Sequence, residues 1–253
     1  MPSESRVDVR GRHAVVTGGA RGIGLGIATL LATSGVRVSI VSRSAQGGHA
    51  GLDGFALAVA DVTVEEQVRA AFEACRRANG PIEILVNNSG IAESAPLIRT
   101  SLTMWERILA TNLTGTFLCT REAADDFLSA KWGRIVNIAS TAGLGGAAYI
   151  SAYCASKHGV VGFTRAIAAE FDGTGITANA VCPGYTETEM MRKALTKIAN
   201  VTGATEEKAR ETLAQSNPEG RIATVEEVAI AVVDLITGVR NGTAVVVPGG
   251  ATA

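Results

Sequence analysis

The sequence predicts an α/β protein, a single doubly wound domain in which helices cover both faces of a seven-stranded parallel sheet. Short apolar runs alternate along the chain with longer segments of helical spacing. Most of the short runs are nearly continuous in Val, Ile, Ala and Leu, which is typical of strands covered on both faces. The length of 253 residues suits one large α/β domain better than two small ones.

Seven candidate strands carry this prediction. They span residues 13–17, 36–41, 55–60, 82–87, 134–139, 176–181 and 244–247. Two apolar stripes predict amphipathic helices between the strands, one at Ile23, Ile27 and Leu30 and one at Val160, Phe163, Ile167 and Phe171. Strand–helix–strand alternation requires crossover connections, and these imply a parallel sheet.

Two stretches interrupt the alternation. Residues 44–54 are short and rich in Gly, with too weak a helical pattern to predict a helix. Residues 184–220 form a long mixed segment that has helical spacing in part and ends in Asn217-Pro218-Glu219-Gly220. Because long insertions late in an α/β sheet are often functional, we expect a substrate lid at about 184–220.

Composition excludes several classes of function. The formal net charge is −1, and a nucleic-acid-binding protein usually carries a basic excess. The first residues are polar, and the apolar run 225–236 is broken by three acidic residues, so we expect no membrane association. The four cysteines are scattered without a Cys-x-x-Cys pair, and His is rare. We therefore expect no metal site and a reducing cytoplasm.

A glycine-rich turn follows the first candidate strand. Residues 17–24 read Thr-Gly-Gly-Ala-Arg-Gly-Ile-Gly and lead directly into a helical stripe. Gly18, Gly22 and Gly24 allow a tight turn and a close approach of the backbone to a pyrophosphate, with Arg21 and Ile23 in the same turn. The helix that follows would present its free N–H groups to the phosphates. This context predicts a dinucleotide-binding, Rossmann-type domain that spans residues 1–253.

The end of the second candidate strand indicates which dinucleotide binds. An acidic residue there would bind the ribose hydroxyls of NAD, but the chain has Ser42-Arg43. Arg43 and Arg21 can instead pair with a 2′-phosphate, which favours NADP(H). Ser42 is compatible with either coenzyme, so NAD(H) remains possible, and Arg43 alternatively stays solvated or stacks on the adenine.

A Tyr and a Lys four residues apart form the candidate catalytic pair. Tyr153 and Lys157 would lie on one face of a helix. A neighbouring ammonium stabilises a phenolate and lowers the pKa of the phenol, so that Tyr153 can exchange protons. Ser140, just past the fifth candidate strand, is placed to hydrogen-bond the reacting oxygen.

At this point the sequence resembles the short-chain dehydrogenase/reductase family over nearly its whole length. Five features carry the resemblance, namely residues 17–24, residues 87–90 (Asn-Asn-Ser-Gly), Thr111-Asn112, Ser140 with Tyr153, and Pro183-Gly184 with Thr188. By resemblance, Tyr153 is the acid/base, Lys157 also binds the nicotinamide ribose, and Ser140 orients the substrate oxygen. Asn112 would anchor a water molecule of the proton relay.

The resemblance also implies a set of coenzyme contacts. It assigns Asp61 and Val62 to the adenine, Asn88 and Gly90 to the floor of the site, and Pro183, Gly184 and Thr188 to the nicotinamide end. Each polar residue also has a structural interpretation. Asp61 is a good helix cap, Asn88 suits a strand end, and Asn112 can bridge helix and sheet backbone without a proton role.

Family relatives also suggest an assembly and a substrate. The resemblance implies a homotetramer built partly through the helices around Asn112 and Tyr153, although Pro248 near the last strand would limit strand pairing there. It implies an oxidoreductase acting on a carbonyl or secondary alcohol, with 3-oxoacyl thioesters or 3-hydroxyacyl compounds as the preferred substrates. Arg192, Lys193 and Lys197 could meet a coenzyme A or carrier-protein thioester, or form an ordinary solvated face.

Two alternative functions stay open. One is a dehydrogenase of a cyclic or secondary alcohol, sugar or steroid with the same four catalytic residues. The other is a nucleotide-sensing protein without catalysis, because a fold does not fix a function.

Overall fold

A single parallel sheet organises the molecule. The computed structural model describes residues 6–44 and 51–247. Within them, seven strands pair in parallel in the order β3-β2-β1-β4-β5-β6-β7. They are β1 (His13–Thr17), β2 (Arg37–Val41), β3 (Ala56–Ala58), β4 (Ile84–Asn87), β5 (Gly133–Ile138), β6 (Ile176–Pro183) and β7 (Ala244–Val247). All seven predicted strands are confirmed.

The strand boundaries differ from the predicted ones by up to two residues. The third strand shortens from the predicted 55–60 to three residues, and the sixth extends to Pro183, where it still pairs with Val247 of β7. A proline fits at this end because its missing N–H is lost only from the last rung of the ladder.

Helices cover both faces of the sheet. They are α1 (Gly22–Thr33), α2 (Glu65–Asn79), α3 (Leu102–Leu109), α4 (Gly115–Ala130), α5 (Ser151–Glu170), α6 (Glu189–Thr202), α7 (Glu206–Gln215) and α8 (Val225–Thr237). One core layer packs α1 and α8 against the sheet and contains Ile27 and Leu235. The other packs α2, α4 and α5 and contains Phe72, Phe127 and Ile167. The predicted doubly wound α/β fold is therefore confirmed.

The chain reverses its winding direction between β1 and β4. These strands are neighbours, and β2 and β3 extend the sheet on one side while β5, β6 and β7 extend it on the other. The loops that leave β1 and β4 therefore turn to opposite faces and open a crevice at the carboxyl edge. Ligands of open α/β sheets bind at such a switch point.

The segment at 184–220 folds into two helices with a small core of its own. Met191 and Leu195 of α6 pack with Ala209 and Leu213 of α7. The segment is held to the rest of the chain near its two ends, where Thr186 forms a parallel bridge with Ala223. Two sequence features fall outside the described residues, namely most of the Gly-rich stretch, at residues 45–50, and Pro248.

Candidate active site

The glycine-rich turn takes its shape from backbone conformations that other residues avoid. Gly18 and Gly22 have φ of +63° and +54°, in the left-handed region that favours glycine. A Cβ on Gly24 would lie 2.4 Å from the carbonyl oxygen of Gly18. Within the described part of the chain, no side chain caps the N-terminus of α1 at Arg21. The first N–H groups of α1 therefore face the crevice, and the turn fits a pyrophosphate.

Asn88 ties the loop after β4 to this turn. Its side-chain nitrogen donates to the carbonyl oxygens of Thr17 and Gly18, each at 3.1 Å. The backbone N–H groups of Asn88 and Ser89 both donate to the Thr17 hydroxyl, at 3.0 and 3.1 Å. Asn88 thus holds the two loops of the switch point together, in agreement with its structural interpretation.

The adenine side lies at the ends of β2 and β3. Asp61 accepts hydrogen bonds from the backbone and hydroxyl of Thr63, at 2.9 and 2.8 Å, and its other oxygen lies 3.6 Å from the Arg43 guanidinium. Burial raises the pKa of Asp61, but the contacts with Thr63 and Arg43 outweigh this and lower it overall. Val62 is buried against Gly115 of α4, while Ser42 shares a hydroxyl contact of 3.3 Å with Ser44.

Tyr153 and Lys157 lie one turn apart on α5. The Lys157 Nζ lies 5.7 Å from the centre of the Tyr153 ring and donates to the carbonyl oxygen of Ile138 at 2.7 Å. Ser140 follows β5 directly and caps a short 3₁₀ turn, its Oγ accepting from the N–H of Ala142 at 3.2 Å. The sheet edge and the helix therefore bring the three predicted catalytic side chains to one place.

Burial dominates the protonation of this pair. It raises the pKa of Tyr153 to about 12, a shift that the Ser140 side chain partly opposes. It lowers the pKa of Lys157 to about 8. In the chain alone, the phenol therefore keeps its proton at neutral pH, and a lowering of its pKa by Lys157 stays a prediction for the complex with coenzyme.

Asn112 lies in a π-helical turn, Ala110–Thr114, between α3 and α4. Its side chain is buried, accepts from the N–H of Ile91 at 2.8 Å, and donates at 3.0 Å to both the carbonyl oxygen of Ile91 and the hydroxyl of Ser156. It therefore bridges the loop after β4 and the helix of Tyr153. π-Turns inside helices are often functional, and this one holds the amide of Asn112 between Ile91 and Ser156.

Gly90 and the end of β6 complete the candidate site at the carboxyl edge of the sheet. A Cβ on Gly90 would lie 3.3 Å from the Asn112 oxygen and 3.6 Å from the Lys157 Nζ, so the loop passes close under the lysine. Pro183 and Gly184 lead to Thr188, whose hydroxyl caps α6 by accepting from the N–H of Met191 at 3.3 Å. Thr188 also faces Gly22 of the phosphate-binding turn.

A family model for short chain dehydrogenases matches residues 12–199. The chain belongs to the short-chain dehydrogenase family. It is therefore an NAD(P)-dependent oxidoreductase that acts on CH–OH groups and the corresponding carbonyls. The expectation from the sequence is confirmed at this level.

Named relatives of this dehydrogenase family include enzymes of different substrates. The chain is 37% identical over 232 residues to a D-beta-hydroxybutyrate dehydrogenase of Cupriavidus necator, covering 87% of this chain and 88% of the relative. It is 38% identical over 255 residues to a D-threitol dehydrogenase of Mycolicibacterium smegmatis, covering 96% and 93%. A crystal structure of a variant actinorhodin polyketide ketoreductase with NADPH matches with a TM-score of 0.89 and 35% identity, covering 94% of this chain and 96% of that one.

Some contacts of the candidate site could not be predicted from the sequence and are seen only in the structure. Ser156, which directly precedes Lys157, is a hydrogen-bond partner of Asn112. Glu189 pairs with Arg21 at 2.9 Å, and Asn217 joins the two ends of segment 184–220. The sequence carries no local signal for the contacts of Glu189 with Arg21, Ser156 with Asn112 and Asn217 with Tyr185. They join positions 168, 44 and 32 residues apart.

Residues 6–44 and 51–247 also bear on metal binding and on membrane insertion. No group of three or more His, Cys, Asp and Glu side chains there is arranged to hold a metal ion. No helix in those ranges has the length and apolar character needed to cross a membrane.

Proposed function

We propose that the protein reduces the keto group of 3-oxoacyl thioesters, or oxidises the corresponding 3-hydroxyacyl compounds, with NADP(H) as the preferred coenzyme. One observation carries the substrate class. Large apolar side chains stay exposed along the loops at the carboxyl edge of the sheet, and we call them the apolar rim. They are Leu97, Ile98, Leu102, Leu144, Tyr149 and Met190. Ile98 is 93% exposed, so packing within the chain does not account for it.

The rim draws on the three segments that surround the catalytic residues. Leu97 follows β4, Leu144 follows β5, and Met190 follows β6. The first two segments are joined by a hydrogen bond of 2.8 Å from the N–H of Ala95 to the carbonyl oxygen of Tyr149. A rim of this kind suits an acyl chain, whereas a sugar or polyol would need convergent hydrogen-bonding groups.

One cationic side chain of the predicted lid supports the proposal that the substrate is a thioester carrying a phosphate group. Lys193 pairs with Glu189 at 2.7 Å, and Lys197 donates to the carbonyl oxygen of Ser94 at 2.7 Å. Arg192 forms no ion pair with the residues that the structure describes. Of the three cations considered for coenzyme A or a carrier protein, Arg192 is therefore the one left to meet a phosphate or an acidic surface.

The coenzyme preference rests on two arginines. Arg43 lies beside Asp61 at the end of β2, and Arg21 borders the pyrophosphate turn. Both guanidinium groups are mostly exposed and make only exposed ion pairs, so a 2′-phosphate can replace their partners at small cost. The absence of an acid at Ser42-Arg43-Ser44 removes the residue that would repel that phosphate.

The proposed catalytic roles follow from the positions of the side chains at the carboxyl edge of the sheet. A bound nicotinamide coenzyme supplies or accepts the hydride. Tyr153 keeps its proton at neutral pH and donates it to the substrate oxygen in reduction, while Ser140 orients that oxygen. Lys157 holds the nicotinamide ribose. Asn112 already has three partners, and this supports a bridging role beside its assigned place in the proton relay.

The assembly we propose is a homotetramer that buries part of α4 and α5. Phe117 of α4 is 40% exposed and meets Phe163 of α5 edge-on, with ring centres 6.3 Å apart. Arg121 stacks over the outer face of Phe117. Light scattering of the purified protein should give four times the chain mass, and a monomer would contradict this. The four cysteines are free and buried, which suits the cytoplasm.

The deciding experiment measures turnover of acetoacetyl-CoA with NADPH and with NADH in parallel. Turnover that favours NADPH supports both the substrate class and the coenzyme preference. Turnover that favours NADH keeps the substrate class and rejects the 2′-phosphate argument. No turnover with either rejects the thioester proposal, and D-threitol and cyclic alcohols would then be tested in the oxidation direction.

A further inference from the structure

The side chain of Asn217 lies between the two ends of segment 184–220. It is only 5% exposed. Its oxygen accepts from the N–H of Tyr185 at 2.6 Å, and its nitrogen donates to the carbonyl oxygens of Tyr185 at 2.9 Å and Arg221 at 2.6 Å. One amide therefore joins the beginning and the end of the segment.

The side-chain amide of Asn217 takes the place of a peptide group in a neighbouring strand. It pairs with both the N–H and the C=O of Tyr185, as a neighbouring strand would. The backbone continues the ladder, because Ala223 donates to Tyr185 at 2.9 Å and Glu187 donates to Ala223 at 2.9 Å. The stretch from Tyr185 to Glu187 is thereby fixed in a single register, although it belongs to none of the seven strands.

Gly184 makes room for the amide. A Cβ on Gly184 would lie 2.2 Å from the Asn217 oxygen and 2.8 Å from its side-chain carbon. Both atoms belong to a side chain held by three hydrogen bonds, so the amide has little freedom to move away. The missing side chain at Gly184 thus serves the contact with Asn217 directly.

The register set here determines where the next residues lie. Thr188 follows at once, caps α6, and faces Gly22 in the phosphate-binding turn, its Cγ2 lying 3.7 Å from where a Cβ of Gly22 would be. Glu189 then pairs with Arg21 of the same turn. A shift of one residue at Tyr185 would move Thr188 and α6 away from the turn.

We propose that Asn217 is a positioning residue that locks Tyr185–Thr188 over the nicotinamide end of the coenzyme site and so fixes how the lid sits on the substrate. The proposal rests on the coenzyme-dependent function proposed above. Asn217 acts through the backbone of Tyr185 and touches no reacting atom.

The test compares Asn217→Ala with Ser216→Ala, a neighbour that is exposed and bonds only to the carbonyl of Thr212. The ligands are NADH and ADP-ribose, which share the adenosine and pyrophosphate and differ in the nicotinamide. In Asn217→Ala we expect the Kd for NADH to rise about tenfold, the worth of one or two hydrogen bonds, and the Kd for ADP-ribose to rise clearly less, because it lacks the nicotinamide. Ser216→Ala should match wild type for both ligands.

A merely structural role would give a different result. Equal weakening of NADH and ADP-ribose, or no change in either, would overturn the proposal. Wild-type protein that fails on acetoacetyl-CoA but binds NADH would reject the proposed substrate, while the binding comparison would still test Asn217.

Gly184→Ala tests the same contact from the other side. Its added methyl group should displace the amide and weaken NADH binding as Asn217→Ala does. In the double variant the clash is gone, so the two effects should be clearly less than additive. Additive effects, or a Gly184→Ala variant with wild-type NADH affinity, would show that Asn217 does not act through this contact. If Asn217→Ala does not fold, Asn217→Asp, which keeps the acceptor for Tyr185, replaces it in the comparison.

Discussion

The guanidinium of Arg21 donates a hydrogen bond of 2.9 Å to the carboxylate of Glu189. Arg21 precedes α1 in the glycine-rich turn, and Glu189 is the first residue of α6, so the pair joins the predicted coenzyme site to the predicted lid. Both side chains are largely exposed, so solvent screening keeps the ion pair weak. We therefore expect a coenzyme phosphate to compete with Glu189 for Arg21.

Removing the charge of Glu189 should release Arg21 for that phosphate. In Glu189→Gln we expect the KM for NADPH to fall about threefold, since the exposed ion pair that competes with the phosphate is weak, with no change for NADH. Steady-state kinetics with both coenzymes measure this. Glu187→Gln is the matched control, because Glu187 lies on the same segment but pairs with Arg210. An equal change for NADPH and NADH would show that Arg21 does not reach the 2′-phosphate.

Tyr153→Phe should remove the proton donor and leave the site otherwise intact. We expect turnover to fall by about 10²- to 10⁴-fold, the usual contribution of a positioned acid, with NADPH still bound. Stopped-flow turnover and quenching of protein fluorescence by NADPH report the two properties. The neighbouring variant Cys154→Ala should keep most of the activity. Full turnover in Tyr153→Phe would reject the assignment.

The reduction rate should have an upper pH limit, set by loss of the proton from the buried ammonium of Lys157. Burial lowers its pKa to about 8, so the charge is present below this pH and is lost as the pH rises through it. We expect kcat for reduction to fall above about pH 8, as is usual when the protonated form is required. Profiles of kcat against pH from 6 to 10 will show the limit. In Lys157→Arg, whose guanidinium stays charged, any remaining activity should lack it.

His13 should make the fold less stable in acid. Burial lowers its pKa, and its two ring nitrogens lie 2.8 Å from the carbonyl oxygen of Gly80 and 2.8 Å from the hydroxyl of Ser39. The unfolded chain then binds a proton that the folded chain resists, so stability is full above the unfolded pKa of about 6.5 and falls below it.

Urea titrations at two pH values measure this effect. Between pH 7.5 and 5.5, the free energy of unfolding of the wild type should drop by about 1 kcal/mol more than that of His13→Gln. Equal losses in the two proteins would mean that the protonated ring is accommodated in the folded state.

The strands could be predicted from the sequence, for a physical reason. A strand covered on both faces needs a continuous apolar run, and that pattern is local, as at residues 84–87 of β4. Tyr153 and Lys157 lie one turn apart on α5 as their spacing predicts, because a helix places residues four apart on one face. Their catalytic roles, which the family resemblance implies, stay a prediction. The ends of β3 could not be predicted, since they depend on how far β2 offers partners.

The contacts that orient the side chains of the candidate site could not be predicted, because they join residues that lie far apart in the sequence. Asn217 binds Tyr185 across 32 residues, and Asn112 binds Ser156 across 44 residues. The sequence motifs single out both asparagines, but nothing in the local pattern indicates which distant residue each of them binds. The opposed burial effects on Tyr153 and Lys157 also appear only when the core has closed around them.

The contact of Asn88 with Thr17 and Gly18 joins positions about seventy residues apart in the chain. The phosphate-binding turn therefore has no lasting shape until β4 has paired with β1, which makes the coenzyme site a product of global folding. A ligand that binds only there binds the native state alone and shifts the folding equilibrium towards it. The availability of coenzyme thus becomes a determinant of how long the folded protein survives heat and proteolysis.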